Sequence, residues 1–270
     1  INRHLAEACN ELGIAMGVGS QRISIQEGNV SGLTWSVRNA IGERPLFANF
    51  GAVNLPQLDT IQDLGRILDS IEADALILHL NPMQEVFQSS GDTDWRNIID
   101  DIAQVCAWSP VPVVVKEVGF GLDVRSAKAL VASGVDVLDV AGMGGTRFAD
   151  IEIALNPEIH ETLSSDRIFD GWGYTTIESL SMIKGALPQT TCWASGGIRN
   201  GLDVAKSMCL GASAVGIAGK LLRPATESTE AVLTTLRQFM NELRISCFGL
   251  GVESSKDLNR SYILEITDAD

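Results

Sequence analysis

The stretch PVVVKEVGFGLDVRSAKALVASGVDVLDVAGMGGT, residues 112–146, decides the fold. It opens with a valine-rich apolar run, Pro112 to Gly119. A helical pattern follows from Leu122 to Gly134, and a second apolar run begins at Val135. Short β-branched runs bounded by glycine read as strands. Strands joined through a helix of this length lie parallel, because antiparallel neighbours need only a tight turn. The unit is β-α-β.

The same beat runs outward in both directions. Strand-like runs stand at residues 14–20, 45–52, 75–81, 191–197 and 214–220. Helical patterns lie at residues 32–42, 58–73, 93–109, 175–187 and 201–211, and a long last one at 226–246. Repeated β-α units give a parallel sheet, either open or closed as a (β/α)8 TIM barrel. A length of 270 residues favours the barrel. Seven strands are visible. Residues 1–13, INRHLAEACNELG, read as a helix with Gly13 as its stop. A helix at that place needs a strand before it, so the first barrel strand is expected upstream of Ile1. The expected organisation is a single barrel domain over residues 1–270. It includes a lid-like excursion at about 146–173 and a C-terminal helix and tail from about 225.

Composition narrows the partners. The chain is 45% hydrophobic and has 34 acidic against 20 basic residues. A net charge of −14 argues against nucleic acid, which needs a basic face. No apolar stretch is long enough to span a membrane. The five cysteines, Cys9, Cys106, Cys192, Cys209 and Cys247, contain no Cys-x-x-Cys pair, so neither zinc nor a disulfide framework is implied. A cytoplasmic location is expected.

Barrel sites form at strand C-termini. Here those ends read Ser20-Gln21-Arg22, Asn49, His79-Leu80-Asn81, Lys116-Glu117, Gly144-Gly145-Thr146, Ser195 to Arg199, and Ala218-Gly219-Lys220. The last two loops are glycine-rich and precede helices, which suits a phosphate. Strand alternation puts His79 and Asn81 on one face, toward the barrel mouth. Pro82 ends that strand, and Gln84 and Glu85 follow in the loop above. Glu85 is a candidate magnesium ligand, since magnesium often takes one carboxylate plus substrate phosphates. Parity does not choose between Lys116 and Glu117. Asp139 reads as structural.

The motifs GVGSQR, ANFGA, HLNPMQE, VVVKEVGFG, DVAGMGGT and ASGGIRNGLDVAKSMCLGASAVGIA stand in order between residues 17 and 218. Together they resemble the FMN-dependent type II isopentenyl-diphosphate delta-isomerases. The resemblance implies a TIM barrel that interconverts isopentenyl and dimethylallyl diphosphates, with reduced FMN, Mg2+ and NAD(P)H as reductant. It places the flavin on Ser20, Asn49, Lys116 and Thr146, and its phosphate on Gly196, Gly197, Ile198, Arg199, Ala218 and Gly219. The substrate would meet Ser20, Gln21, Arg22 and Gln84, with His79 and Asn81 nearby and magnesium on Glu85. The flavin ring would carry the acid–base step, with Gln84 as a polar helper. A homo-oligomer is also implied. The chain departs from the family pattern at Arg147 and Phe148, where serine and tryptophan are usual. Arg147 is expected to add a charge beside the flavin.

Two other readings remain. One is another FMN-dependent barrel oxidoreductase. Nucleotide dehydrogenases of that kind need a cysteine in the loop after the fifth visible strand, where this chain reads GMGGTRF. Hydroxy-acid oxidases need a late His–Arg pair, and the histidines here are His4, His79 and His160. The other reading is a non-catalytic barrel.

Overall fold

A computed structural model describes residues 1–26, 35–165 and 168–264. Seven parallel strands pair in sequence order. They are β1 (Met16–Gly17), β2 (Leu46–Gly51), β3 (Ala75–His79), β4 (Val113–Lys116), β5 (Val137–Asp139), β6 (Thr191–Ala194) and β7 (Ala214–Val215). Helix α1 (Asn2–Leu12) precedes them and stops at Gly13, which takes the left-handed conformation at φ 71°. The β1–β2 connection holds α2 (Arg22–Gln26) and α3 (Trp35–Ile41). Helices α4 (Leu64–Ile71), α5 (Pro82–Glu85) with α6 (Ile98–Trp108), and α7 (Val124–Ala132) cross to β3, β4 and β5. The β5–β6 connection carries α8 (Phe148–Leu155), α9 (Pro157–Thr162) and α10 (Thr176–Ala186). Then come α11 (Gly201–Cys209) before β7, and α12 (Gly219–Glu227) with α13 (Thr229–Leu250) after it.

The strands have two apolar faces. Leu46, Ala48, Phe50, Leu76, Leu78, Val113, Val115, Leu138 and Cys192 point outward, into the main core beneath the helices. Phe47, Ile77, Val114, Val137 and Trp193 point inward and pack on one another. Phe47 stacks on Trp193 with ring centroids 5.3 Å apart, although β2 and β6 are far apart in sheet order. Only a sheet curled on itself brings those rings together. The architecture is the expected α/β barrel wall. Among the described residues no strand lies between β1 and β7. Burying each large outward side chain contributes about 2 kcal/mol, so this layer dominates stability.

Several expected elements shift. The strands at residues 14–20 and 214–220 shorten to two residues each. Gly219 and Lys220, expected in a strand, open α12 instead. The expected helix over residues 58–73 is α-helical only from Leu64, after a short 3-10 turn at Ile61–Asp63. The long last helix begins at Thr229, where the Ser228 side chain accepts from Ala231 N, and runs on to Leu250. The helix expected over 32–42 falls partly outside the described residues and is seen as α3. The excursion at 146–173 is not bare loop. It contains α8 and α9, and Ala149 and Ile153 pack against Phe87 and Phe120.

Candidate active site

Register assembles one rung across the barrel mouth. Gly51 pairs with His79, His79 with Lys116, Lys116 with Asp139, and Asp139 with Trp193. In-register residues of parallel strands share a face, so these side chains point inward with Trp193. The Lys116–Glu117 ambiguity is thereby resolved. Lys116 faces the barrel and Glu117 faces the helices.

Burial sets the charges on this rung. Desolvation, helped by the Lys116 charge, pushes the His79 imidazole down to about 4, so the ring is neutral near pH 7. Its Nδ1 lies 2.8 Å from Asn49 Oδ1. An amide oxygen only accepts, so Nδ1 donates and Nε2 keeps a lone pair. Asn49 is oriented in turn by its Nδ2, which donates to Val18 O at 3.0 Å. Burial also lowers the Lys116 ammonium, against the pull of Asp139 and Glu117. Lys116 Nζ donates to Glu117 O at 2.7 Å. Burial raises Asp139, which accepts from the Ser195 N–H and hydroxyl. Asp139 thus fixes the β6 loop and counters Lys116. Burial pushes Glu117 up to about 7, although Val118 and Phe120 N–H groups donate to it.

A second cluster stands above β3. Strand geometry ends at His79, and Asn81 has left it with φ −134° and ψ 41°. Asn81 therefore does not share the His79 direction, as alternation had implied. Pro82 occupies the first turn of α5, where its missing N–H costs nothing. Asn81 Nδ2 donates to Glu85 Oε1 at 2.6 Å, and Glu85 Oε2 accepts from Asp92 N at 2.8 Å. Gly91 makes that second bond possible. A Cβ there would lie 1.9 Å from Glu85 O, so any larger residue would force the loop away. Glu85 is buried, and so is Asn81, whose Oδ1 has no partner among the described residues. A carboxylate beside an unsatisfied carbonyl oxygen is hard-oxygen chemistry that fits magnesium. Among the described residues no three acidic, histidine or cysteine side chains gather as a cage, so substrate oxygens would complete the shell. Gln84 Nε2 donates to Glu152 Oε1 at 2.9 Å.

Glu152 was not foreseen from sequence. It lies on α8, separated from Gln84 by 68 residues. Its only local signal is an acid between Ile151 and Ile153 in a mostly apolar helix.

The glycine loops form the third part. A Cβ on Gly145 would lie 2.7 Å from Gly197 N, and one on Gly197 2.6 Å from Gly144 C. The loops after β5 and β6 therefore interlock backbone to backbone, and only glycine permits it. Close packing as well as anion binding explains these glycines. Thr146 lies beside α12, whose Gly219 would bring a Cβ within 3.7 Å of Thr146 Oγ1. Helix α12 starts after Ala218 without a side-chain cap and without an acid in its first turn. Its open N–H groups can receive a phosphate. Arg199 stands nearby with its charge shared by Asp203, 3.3 Å away.

The β1 loop divides. Ser20 is exposed on the rim. Gln21, expected at the substrate, is wholly buried and turned into the scaffold. Its Oε1 accepts from Asn49 N and its Nε2 donates to Ile67 O, so the side chain is a strut between β2 and α4. Arg22 is half-buried at the start of α2, and its Nε has no partner among the described residues. Arg147 also differs from expectation. Its guanidinium turns from Thr146 toward the excursion and donates to Phe169 O at 2.6 Å. It lies 5.3 Å from the Phe120 ring centroid and 3.4 Å from both Asp150 and Asp170.

Comparison with known proteins agrees with this geometry. The FMN-dependent dehydrogenase family matches residues 65–265. An isopentenyl-diphosphate delta-isomerase of Stutzerimonas stutzeri is 42% identical over 267 residues, covering 99% of this chain and 77% of the relative. One from Cronobacter sakazakii is 44% identical over 268 residues, with the same two coverages. Among solved structures, a Pediococcus acidilactici protein assigned as a lactate oxidase superposes with a TM-score of 0.71 at 17% identity, over 98% of this chain and 71% of its own. A mandelate oxidase gives 0.67 at 19% identity, over 96% and 72%. These distant structures share the fold alone. No described helix is long and apolar enough to cross a membrane. Sequence identity of this extent, on a barrel of the flavin-binding type, makes the chain a member of the isopentenyl-diphosphate delta-isomerases.

Proposed function

We propose that this chain interconverts isopentenyl diphosphate and dimethylallyl diphosphate at the mouth of its barrel, with FMN, magnesium and NAD(P)H as reductant. The observation that carries the reading is the juxtaposition of the His79–Lys116–Asp139 rung with the buried Asn81–Gln84–Glu85–Glu152 cluster. Moving a double bond needs one carbon protonated and another deprotonated. Reduced FMN, when bound, supplies acid–base chemistry of that kind.

The chain's own residues bind and orient. The α12 N-terminus, Gly196, Gly197, Ile198 and Arg199 would hold the flavin phosphate, and Asn49, Lys116 and Thr146 would meet the rest of the cofactor. Arg22 and Ser20 would face the substrate diphosphate, and Glu85 with Asn81 Oδ1 would hold magnesium. Neutral His79 offers Nε2 as an acceptor without adding positive charge. Glu152 fixes the Gln84 amide and can take a proton relayed through it. The excursion carrying α8 acts as the lid, which excludes water once substrate is bound. The protein works as a homo-oligomer in the cytoplasm, and residues 1–270 act as one barrel domain.

The test is a visible spectrum of the purified chain, followed by isomerisation of isopentenyl diphosphate with and without reductant. Flavin absorbance and activity only after reduction support the reading. A bound flavin that turns over another substrate with steady NAD(P)H consumption, or no flavin at all, sinks it. Glu85→Gln should raise the magnesium needed for half-maximal activity at least about tenfold while leaving the spectrum unchanged. An unshifted magnesium titration refutes the ligand assignment.

A further inference from the structure

The last turns of α13 leave an apolar surface uncovered. Phe248 is 87% exposed and Ile245 is 61% exposed. Met240, Arg244 and Phe248 follow one another at four-residue spacing, so they form one stripe along the helix. Beside that stripe lies a cleft of about 340 Å³, lined by Met240, Leu243 and Val252 and rimmed by Arg244, Phe248 and Glu253. The patch therefore holds both an aromatic knob and an apolar hole. It also carries one charge of each sign. Arg244 and Glu253 are exposed, and neither has a hydrogen bond or ion pair among the described residues.

Such a surface complements itself. A two-fold axis brings the same patch of two copies face to face, so knob meets hole and cation meets anion twice. We propose that this end of α13 is an isologous self-association surface. On it Phe248 enters the partner's cleft and Arg244 pairs with the partner's Glu253. The occupant is a second copy of this chain because the charges match in that arrangement and the net charge of −14 otherwise drives copies apart. The inference gives a location to the self-association proposed above. It does not depend on the flavin site, and flavin content and activity measured on the same samples keep the two readings separable.

Sedimentation velocity across a concentration series tests it, with circular dichroism to verify folding. Phe248→Asp should weaken association about 30-fold or more, as for a central aromatic anchor, and its exposure spares the fold. Arg244→Glu and Glu253→Arg should each weaken it about tenfold, because each homodimer then faces like charges. Mixing the two charge variants in equal amounts should restore association, because both contacts in the mixed dimer are again of opposite sign. Recovery on mixing supports the proposal. A wild-type chain that stays monomeric, or variants that associate like the wild type, overturns it.

Discussion

Replacing Arg147 by alanine should loosen the lid without unfolding the barrel. Arg147 joins three pieces of chain: its own turn before α8, the Phe169–Asp170 segment, and the Phe120 ring. The bond to Phe169 O is short and charge-assisted and contributes about 1.5–3 kcal/mol. The contact with Phe120 adds about 0.5–1 kcal/mol. The ion pairs to Asp150 and Asp170 add little, because those acids are 49% and 42% exposed and screened by water. The total is about 3 kcal/mol, or roughly a hundredfold in the local opening equilibrium. All these contacts lie within the excursion and its seat, so the melting temperature should move little. Hydrogen exchange of peptides covering residues 168–174 reads the opening directly. Arg147→Ala should lose protection there and keep it in β3 and β4, and Arg147→Lys should fall between. Unchanged exchange in 168–174, or equal loss in the barrel strands, would refute the latch.

Glu152→Gln should lower kcat about 10- to 100-fold with the flavin spectrum unchanged, since it removes a proton acceptor but keeps an amide partner for Gln84. Wild-type kcat in that variant would leave Glu152 only a structural role. Gly145→Ala should release flavin and cost about 1–3 kcal/mol, because its Cβ would lie 2.7 Å from Gly197 N. Retained flavin absorbance and an unmoved melting temperature would argue against the interlock. Glu117 and His79 make opposite pH slopes. Folded Glu117 titrates at about 7 rather than its ordinary 4.5, so it binds protons better when folded, and its contribution falls by roughly 3 kcal/mol as pH rises between those values. Folded His79 titrates at about 4 rather than 6.5, so its contribution rises with pH over that window. The two nearly cancel between pH 4.5 and 6.5. Glu117→Gln should expose the His79 slope as a steeper loss of stability on acidification, read by denaturant titration at several pH values. Superimposable profiles for variant and wild type would count against both assignments.

Local pattern alone determined the β-α beat, the barrel class and the strand ends where polar groups collect. Those properties follow from side-chain periodicity, which acts over a few residues. Strand alternation also put His79 inward, because the strand persists through that residue. The same rule failed two residues later at Asn81, since the chain had already turned toward Pro82. Lys116 could not be told from Glu117 until β3, β4 and β5 were in register, because facing is a relation between strands. Gln21 looked like a ligand from its neighbours Ser20 and Arg22, yet packing against Ile67 buries it. Glu152 meets Gln84, and Arg147 meets Phe169, across gaps in sequence that no local pattern spans. Residue types and short-range order were enough to name the family and the chemistry. Which atoms face one another, and which charges survive burial, was decided by the closing of the sheet, since only tertiary contact removes water and brings distant groups together.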